Sequence, residues 1–288
     1  MQNKNFCVAL LMLFVITLTA CGTGGYNLGK LEINKDKTGN IQETQPPVTE
    51  KSQSSDNNMI NNTKNEDNSN SSIEKVYETK KESYIYKNIK IDYPQIINFN
   101  DVNKQKLINE LIRNDILKVL NNYKDNKDHV SLMIDYNVML KNSKLLSIEY
   151  IGQESFEDYP RVNNLFYSTN INISNVSKIR LKDIINIDDK FVSKFMSEKF
   201  KALISELSPI KELKTTEEWM NLFNTSDLIE NVGTENQSET YSYLTEDSLG
   251  ISVGVGHNAG DHAEFEIKYQ DLKDNIKTEN EIWKDLLH

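Results

Sequence analysis

"GVGHNAGDHAEFEIKY" (254–269) is the stretch whose reading decides between chemistry and architecture. It holds two of the chain's four histidines, His257 and His262, with Asp261 between them and Glu264 just beyond. A zinc-type site needs the two imidazoles to converge on one ion, and their five-residue spacing is not the i, i+4 of a helical histidine pair. Gly254, Gly256, Asn258, Ala259, Gly260 and Asp261 read instead as turn formers. After them Ala263, Phe265, Ile267 and Tyr269 alternate against Glu264, Glu266 and Lys268, the period of a half-buried antiparallel strand. A dinucleotide loop is excluded by context, because a strand and not a helix follows "GVGHNAG". The stretch is a hairpin connection, and a metal-dependent hydrolase using His257, Asp261 and His262 is the alternative reading.

Working upstream, "ETYSYLTEDSLGISVGV" reads as two more strands joined at "TEDS", with Tyr241 and Tyr243 opposite Leu244. "TTEEWMNLF" (215–223) predicts a helix that Thr215 or Thr216 caps, with Glu217 and Glu218 at its positive end and Trp219, Leu222 and Phe223 buried. "DDKFVSKFMSEKFKALISEL" (188–207) predicts a longer helix capped by Asp188 or Asp189, with Phe191, Phe195, Met196, Phe200, Leu203 and Leu207 on its core face. "KIRLKDIINIDD" opens that helical zone, and "QDLKDNI" and "ENEIWKDLLH" close the chain as helices.

The preceding part mixes the same two periods. "YIYKNIKIDYPQI" (84–96) predicts a strand with Ile89, Ile91 and Tyr93 on one face, ended by Pro94. Residues 101–123 switch to helical spacing, with Ile108, Ile112, Ile116, Val119 and Tyr123 inward and Lys104, Lys106, Asn109, Glu110, Arg113 and Lys118 solvated. "SLMIDYNVML" (131–140) and "KLLSIEYIGQES" (144–155) form a hairpin around "KNSK", and "NLFYSTNINIS" (164–174) is a further strand. The fold class is α+β: antiparallel sheets packed with amphipathic helices, in two intimately associated sub-domains.

The N-terminus sets the environment. Lys4 precedes a nearly unbroken apolar run from Phe6 to Leu18, too short to span a bilayer and followed by small residues, as in a secretory signal. The end of that run, Leu18-Thr19-Ala20-Cys21-Gly22, resembles the bacterial lipobox. That resemblance implies cleavage before Cys21, its acylation (palmitate among the chains) and anchorage to the outer face of the cell membrane. Acyl chains contribute roughly 0.8 kcal/mol per buried methylene, so multiple chains hold firmly. The chain's two cysteines are Cys7 and Cys21. One leaves with the signal and the other is acylated, which excludes disulfides, zinc–thiolate sites and a cysteine nucleophile in the exported part.

Residues 22–75 are rich in Asn, Ser, Thr, Lys, Glu and Gln and lack periodicity, so they are expected to form a disordered tether with a reach of roughly 40 Å. The formal net charge is −10. Loss of residues 1–20 removes one lysine and no acid, so the exported chain is more acidic still. That balance argues against nucleic acid as a partner and suits a cationic one. Asn, Lys and Ile usage together with the tether suits a Gram-positive envelope. There is no G-x-S-x-G, H-E-x-x-H or similarly placed Ser-x-x-Lys, no carboxylate pair stands out, and no cofactor is expected. Glu154, Glu157, Asp158 and Tyr159, gathered in "ESFEDYPRVNNLFYS" (154–168), form the candidate binding surface.

The order "YPQI", amphipathic helix, "LLSIEYIG", "NLFYSTNINI…IRLKDII", Phe-rich helix, then "YSYLTEDSLGISVGVGHNAGDHAEFEIKYQDL" resembles the paired extracellular domains of RsiV-type anti-sigma factors. Similar domains precede the catalytic part of some peptidoglycan deacetylases. The likeness spans about residues 76–274 and implies α+β modules without an active site, which bind lysozyme in the anti-sigma factors. No cytoplasmic segment, spanning helix or deacetylase domain is read in this sequence, and Asn175-Val176-Ser177 replaces a turn that relatives often build with Asp or Gly. Sigma-factor control and deacetylation are therefore not expected to carry over, and ligand binding is. The organisation expected is a signal peptide (1–20), lipidated Cys21 with its tether (21–75), and α+β sub-domains at 76–182 and 183–288. The function expected is non-enzymatic binding of a cationic extracellular protein such as lysozyme, or of a cell-wall component such as a glycan.

Cys21→Ser should move the protein from the membrane fraction to the medium and abolish radiolabelling by palmitate, read by fractionation and autoradiography.

Overall fold

The computed structural model describes residues 77–287, which belong to one compact unit. The signal, Cys21 and the tether lie outside the described residues. Two strands open the fold, β1 (Glu78–Tyr86) and β2 (Ile89–Ile97), joined at Lys87-Asn88 with Lys87 in the left-handed region at φ 50°. Residues 84–96 are thus a hairpin and not one strand, and Pro94 sits inside β2. The next strand pairs with β2 only over Ile89–Ile91, so nothing on that edge asks Pro94 for an N–H. Helix α1 (Val102–Ile116) follows, and the side chain of Asp101 caps it by accepting from the Lys104 N–H at 2.9 Å. The helical period continues to Tyr123 as a 3₁₀ turn, so Ile108, Ile112, Ile116, Val119 and Tyr123 all bury as the spacing predicts. Asn109, expected to be solvated, clamps the end of β2 through both the N–H and the C=O of Ile96.

Strands β3 (Val130–Lys141), β4 (Leu145–Phe156), β5 (Tyr159–Asn172) and β6 (Ser177–Ile179) complete a six-stranded sheet in the order β1-β2-β3-β4-β5-β6. Every pairing is antiparallel except β2 with β3, which α1 connects as a crossover. The Asn142 side chain closes the β3–β4 turn by accepting from the Lys144 and Leu145 N–H groups. The turn into β6 places Val176 at φ 56°, a left-handed conformation that a β-branched residue rarely adopts.

The C-terminal half contains α2 (Leu181–Ile184), α3 (Asp189–Met196), β7 (Lys201–Ala202), α4 (Thr216–Asn224), β8 (Thr240–Leu244), β9 (Ser248–Gly254), β10 (His262–Lys268), α5 (Tyr269–Leu272) and α6 (Trp283–Leu286). Its sheet runs β7-β10-β9-β8, all antiparallel. Thr215, one of the two expected caps, starts α4 and forms a capping box with Glu218. The helix expected over 188–207 stops at Met196. The buried ammonium of Lys211 binds the carbonyls of Ser197 and Phe200, and Lys201–Ala202 pairs with β10, so tertiary contacts draw the chain out of helical spacing. Met196 and Leu203, expected inside, are consequently exposed. Phe195 centres the aromatic core, its ring lying 4.9–5.2 Å from those of Phe200, Trp219, Phe223 and Phe265.

Two cores result, one between α1 and the large sheet and one between the small sheet and its helices, and each borrows from the other half. Tyr241, Tyr243, Ile229 and Val232 pack in the first, while Leu140, Leu145 and Ile179 pack in the second. Side chains fasten the seam. Ser168 and the Asn170 amide both donate to the Ser242 carbonyl at 2.6 and 2.8 Å, and the Ser147 hydroxyl accepts from the Leu244 N–H at 2.9 Å. From the turn after α4, Asp227, buried and at φ 62°, accepts from the Ser242 N–H and hydroxyl of β8 and from the Leu181 N–H. Burial pushes its carboxyl above the usual range, against the pull of those donors and of the Lys178 charge.

Asp227→Ala should destabilise the protein by about 2–4 kcal/mol by orphaning two buried N–H groups, against ~1 kcal/mol for Ser168→Ala, both read by urea unfolding.

Candidate functional site

The candidate surface at 154–159 lies on the β4–β5 hairpin. Phe156 pairs with Tyr159, so Glu157 and Asp158 are the two turn residues and project into solvent. Tyr159 is 60% exposed. Glu154 behaves differently: it is drawn inward, accepting from the Tyr123 hydroxyl and from the Asn163 amide at 2.9 Å. The tip is braced by the Glu157 N–H donating to the His129 carbonyl and by His129 Nδ1, 3.0 Å from a Glu157 oxygen. Hydrogen bonding and charge from Glu157 raise the His129 pKa. Nearby, Lys87 pairs with Asp128 at 2.8 Å and Lys127 lies over the Tyr86 ring, while no ion pair is found for Asp158 among the described residues. Three of the four sequence candidates therefore share one exposed turn, and the fourth holds it from below.

The 254–262 connection is a hairpin link, as its composition predicts. A 3₁₀ turn at His257–Ala259 leads to Gly260 at φ 96° and Asp261 at φ 72°. Gly260 takes the left-handed region freely, and Asp261 is one of the few residue types that tolerate it. The conformation aims the Asp261 carboxylate at β5, where Oδ2 accepts from the Asn164 N–H at 2.8 Å. His257 Nδ1 lies 2.9 Å from Oδ1 and Arg161 3.9 Å away. Although burial opposes it, the Asn164 N–H, His257 and Arg161 hold the Asp261 carboxyl below the usual value. His262 is engaged elsewhere, its ring 5.4 Å from Phe166 and its Nε2 3.7 Å from Glu264. No three His, Cys, Asp or Glu side chains among the described residues gather as a metal site.

One polar cluster was not legible in the sequence. Alternation predicts Glu264 and Glu266 on a solvated face, yet that face meets the large sheet and both are only half-exposed. The Tyr243 hydroxyl lies 3.2 Å from Glu264 and 3.1 Å from Glu266, and its ring occupies the space a side chain at Gly250 would need. Across the seam stands Glu149, which accepts from the Asn137 amide at 2.7 Å. Burial, with Glu264 and Glu266 adding to it, pushes the Glu149 carboxyl up despite Asn137 and His262. Beside this cluster a cleft of about 540 Å³ opens between β5, the end of β9 and the 210–219 segment, bordered by Asp261 and His262.

No family model matches the chain, and no curated protein matches it. Among the solved structures to which the chain is similar are two of one family. One is a member of the DUF3298 family from Bacteroides fragilis, 14% identical, covering 73% of this chain and 95% of its own, with a TM-score of 0.42. The other is a DUF3298 family protein from Pseudomonas aeruginosa, 10% identical, covering 70% and 93%, with a TM-score of 0.43. No helix among the described residues is long and apolar enough to cross a membrane.

Because the folded state holds the Glu149 proton to higher pH than the unfolded chain does, its contribution is fullest below the ordinary carboxylate pKa. That contribution is lost as pH rises through the folded value. Glu149→Gln should therefore raise stability at neutral pH and flatten its decline between about pH 4 and pH 8, in urea melts across that range.

Proposed function

We propose that this protein is a non-enzymatic binding module, held on the outer face of the cell membrane by lipidated Cys21, that recognises a cationic extracellular protein such as lysozyme. The observation that carries this reading is the β4–β5 tip. Glu157 and Asp158 stand in solvent beside an exposed Tyr159, an amphipathic aromatic next to carboxylates on a two-residue turn. The chain's net charge of −10 steers a basic partner toward it. The resemblance to lysozyme-binding extracellular domains supports the same choice. The polar residues of the 257–262 turn have structural employment, since Asp261 fastens β5 and His257 steadies Asp261, which favours binding over hydrolysis.

The test is calorimetric titration of the full chain with lysozyme at about 50 and 200 mM salt. Saturable heat that weakens at the higher salt is expected, with Glu157→Lys/Asp158→Lys lowering the affinity at least about tenfold, roughly the loss of two interfacial charge contacts. No heat at either salt contradicts the reading, and unchanged affinity of the double variant removes the tip as the contact surface.

A further inference from the structure

The cleft beside β5 runs along the edge of that strand and not over one of its faces. Successive side chains of a strand point to opposite sides of the sheet, yet Asn164, Leu165, Phe166 and Tyr167 all line the one cavity. A cavity meets all four only from the strand's edge, and Asn164 and Leu165 are half-exposed there. The hydrogen-bond directions agree. The Asn164 N–H turns away from β4 to the Asp261 carboxylate at 2.8 Å, whereas the Ile173 N–H donates to the Lys144 carbonyl on the β4 side at 2.7 Å. The register with β4 is unbroken from Asn163 to Asn172, so the even-numbered residues between point their backbone groups to the open side. β6 covers that side only from Asn170 onward.

Asp261 thus fills one position of an absent ladder, its carboxylate standing where a neighbouring strand would put a carbonyl. Phe166 is the next even-numbered residue on the cleft, and no hydrogen bond to its N–H or C=O is found among the described residues. A backbone donor and acceptor side by side on a strand edge are answered in register by another polypeptide, as in strand addition. The lining carries two carboxylates, Glu239 and Asp261, against one ammonium, Lys214. Glu239 is exposed and has no ion pair among the described residues, so the charge that complements the wall is positive. Leu213, Val255 and Ala259 offer apolar surface beside it. The volume, about 540 Å³, falls in the ordinary range for small-ligand sites and suits a short segment.

We infer that this cleft receives a short extended peptide segment bearing a basic side chain, which adds to the open edge of β5 at Phe166 and meets Glu239. The site is distinct from the β4–β5 tip and does not depend on what that tip binds.

The experiment is calorimetric titration of the full chain with the acetylated, amidated peptide KVTVKV, with its acidic counterpart EVTVEV, and with KVTVKV N-methylated at every second residue in each of the two phases. Backbone amide exchange is followed alongside by NMR. In the free protein the Phe166 amide should exchange faster than those of Leu165 and Tyr167, which pair with β4. Saturable heat with KVTVKV is expected, with the Phe166 amide slowed on binding. The acidic peptide and one of the two N-methylated phases should bind at least about tenfold more weakly. Glu239→Lys should weaken KVTVKV by a similar factor, and Glu239→Gln, which keeps the side chain's shape, should weaken it less. The inference is overturned by absence of KVTVKV heat up to about 5 mM, by equal binding of EVTVEV or of both N-methylated phases, by an unchanged Phe166 amide in the complex, or by wild-type affinity in both Glu239 variants. Lysozyme heat is measured independently, so failure here and failure of the protein-binding reading are told apart.

Discussion

The edge of β8 is the constraint on which the rest of the molecule depends. An edge strand presents a row of backbone groups that must find partners once buried. Here the partners are side chains from elsewhere: Ser168 and Asn170 on the Ser242 carbonyl, Ser147 on the Leu244 N–H, and Asp227 on the Ser242 N–H. Because Ser147, Ser168 and Asn170 stand on the central strands β4 and β5, the small sheet is fixed against the large one without a continuous ladder. The tyrosines of β8 then fall into the large sheet's core, and Leu140, Leu145 and Ile179 fall into the other. A second network tightens the junction, with Lys178 bridging buried Asp115 and Glu230, and Arg180 also bound to Glu230. The two halves therefore share their interiors and not merely a surface.

That arrangement leaves β5 short of a neighbour. β6 pairs with it only at Asn170–Asn172, so the stretch from Tyr159 toward Tyr167 runs along an open side. Asp261 reaches across to cap one of its N–H groups, which ties the 254–262 connection to the large sheet and makes the wall of the cleft. Further along, the same two strands end in the Glu157-Asp158 tip. Both surfaces with binding character thus stand on one pair of strands, whose positions the seam determines.

Much of this was readable in the residues, and the failures share one cause. Where an element is governed by its own turn chemistry or by one buried face, the sequence is a good guide: Ile108, Ile112 and Ile116 bury along α1, Thr215, one of two candidates, caps α4, and glycine and Asp261 turn the last hairpin. Where a second face is buried by a distant segment, alternation misleads. Glu264 and Glu266 alternate with apolar residues as a solvated face would, yet both meet the opposing sheet, as do Ser168 and Asn170. α3 ends early because Lys211 and β10 compete for the residues that follow it. The site divides in the same way. Glu157, Asp158 and Tyr159 are legible because a hairpin turn is local, whereas the inward turn of Glu154 depends on Tyr123, 31 residues away, and the cleft along β5 on three separate segments.

Hydrogen–deuterium exchange of the full chain with and without saturating lysozyme tests the central claim most directly, since it asks whether a partner binds and where. The account predicts slowed exchange at the Glu157–Tyr159 tip and at the Asp128–His129 segment bracing it, with the β8 seam amides slow in both states. Uniform exchange with and without the partner, or protection confined to a surface away from the tip, would contradict it.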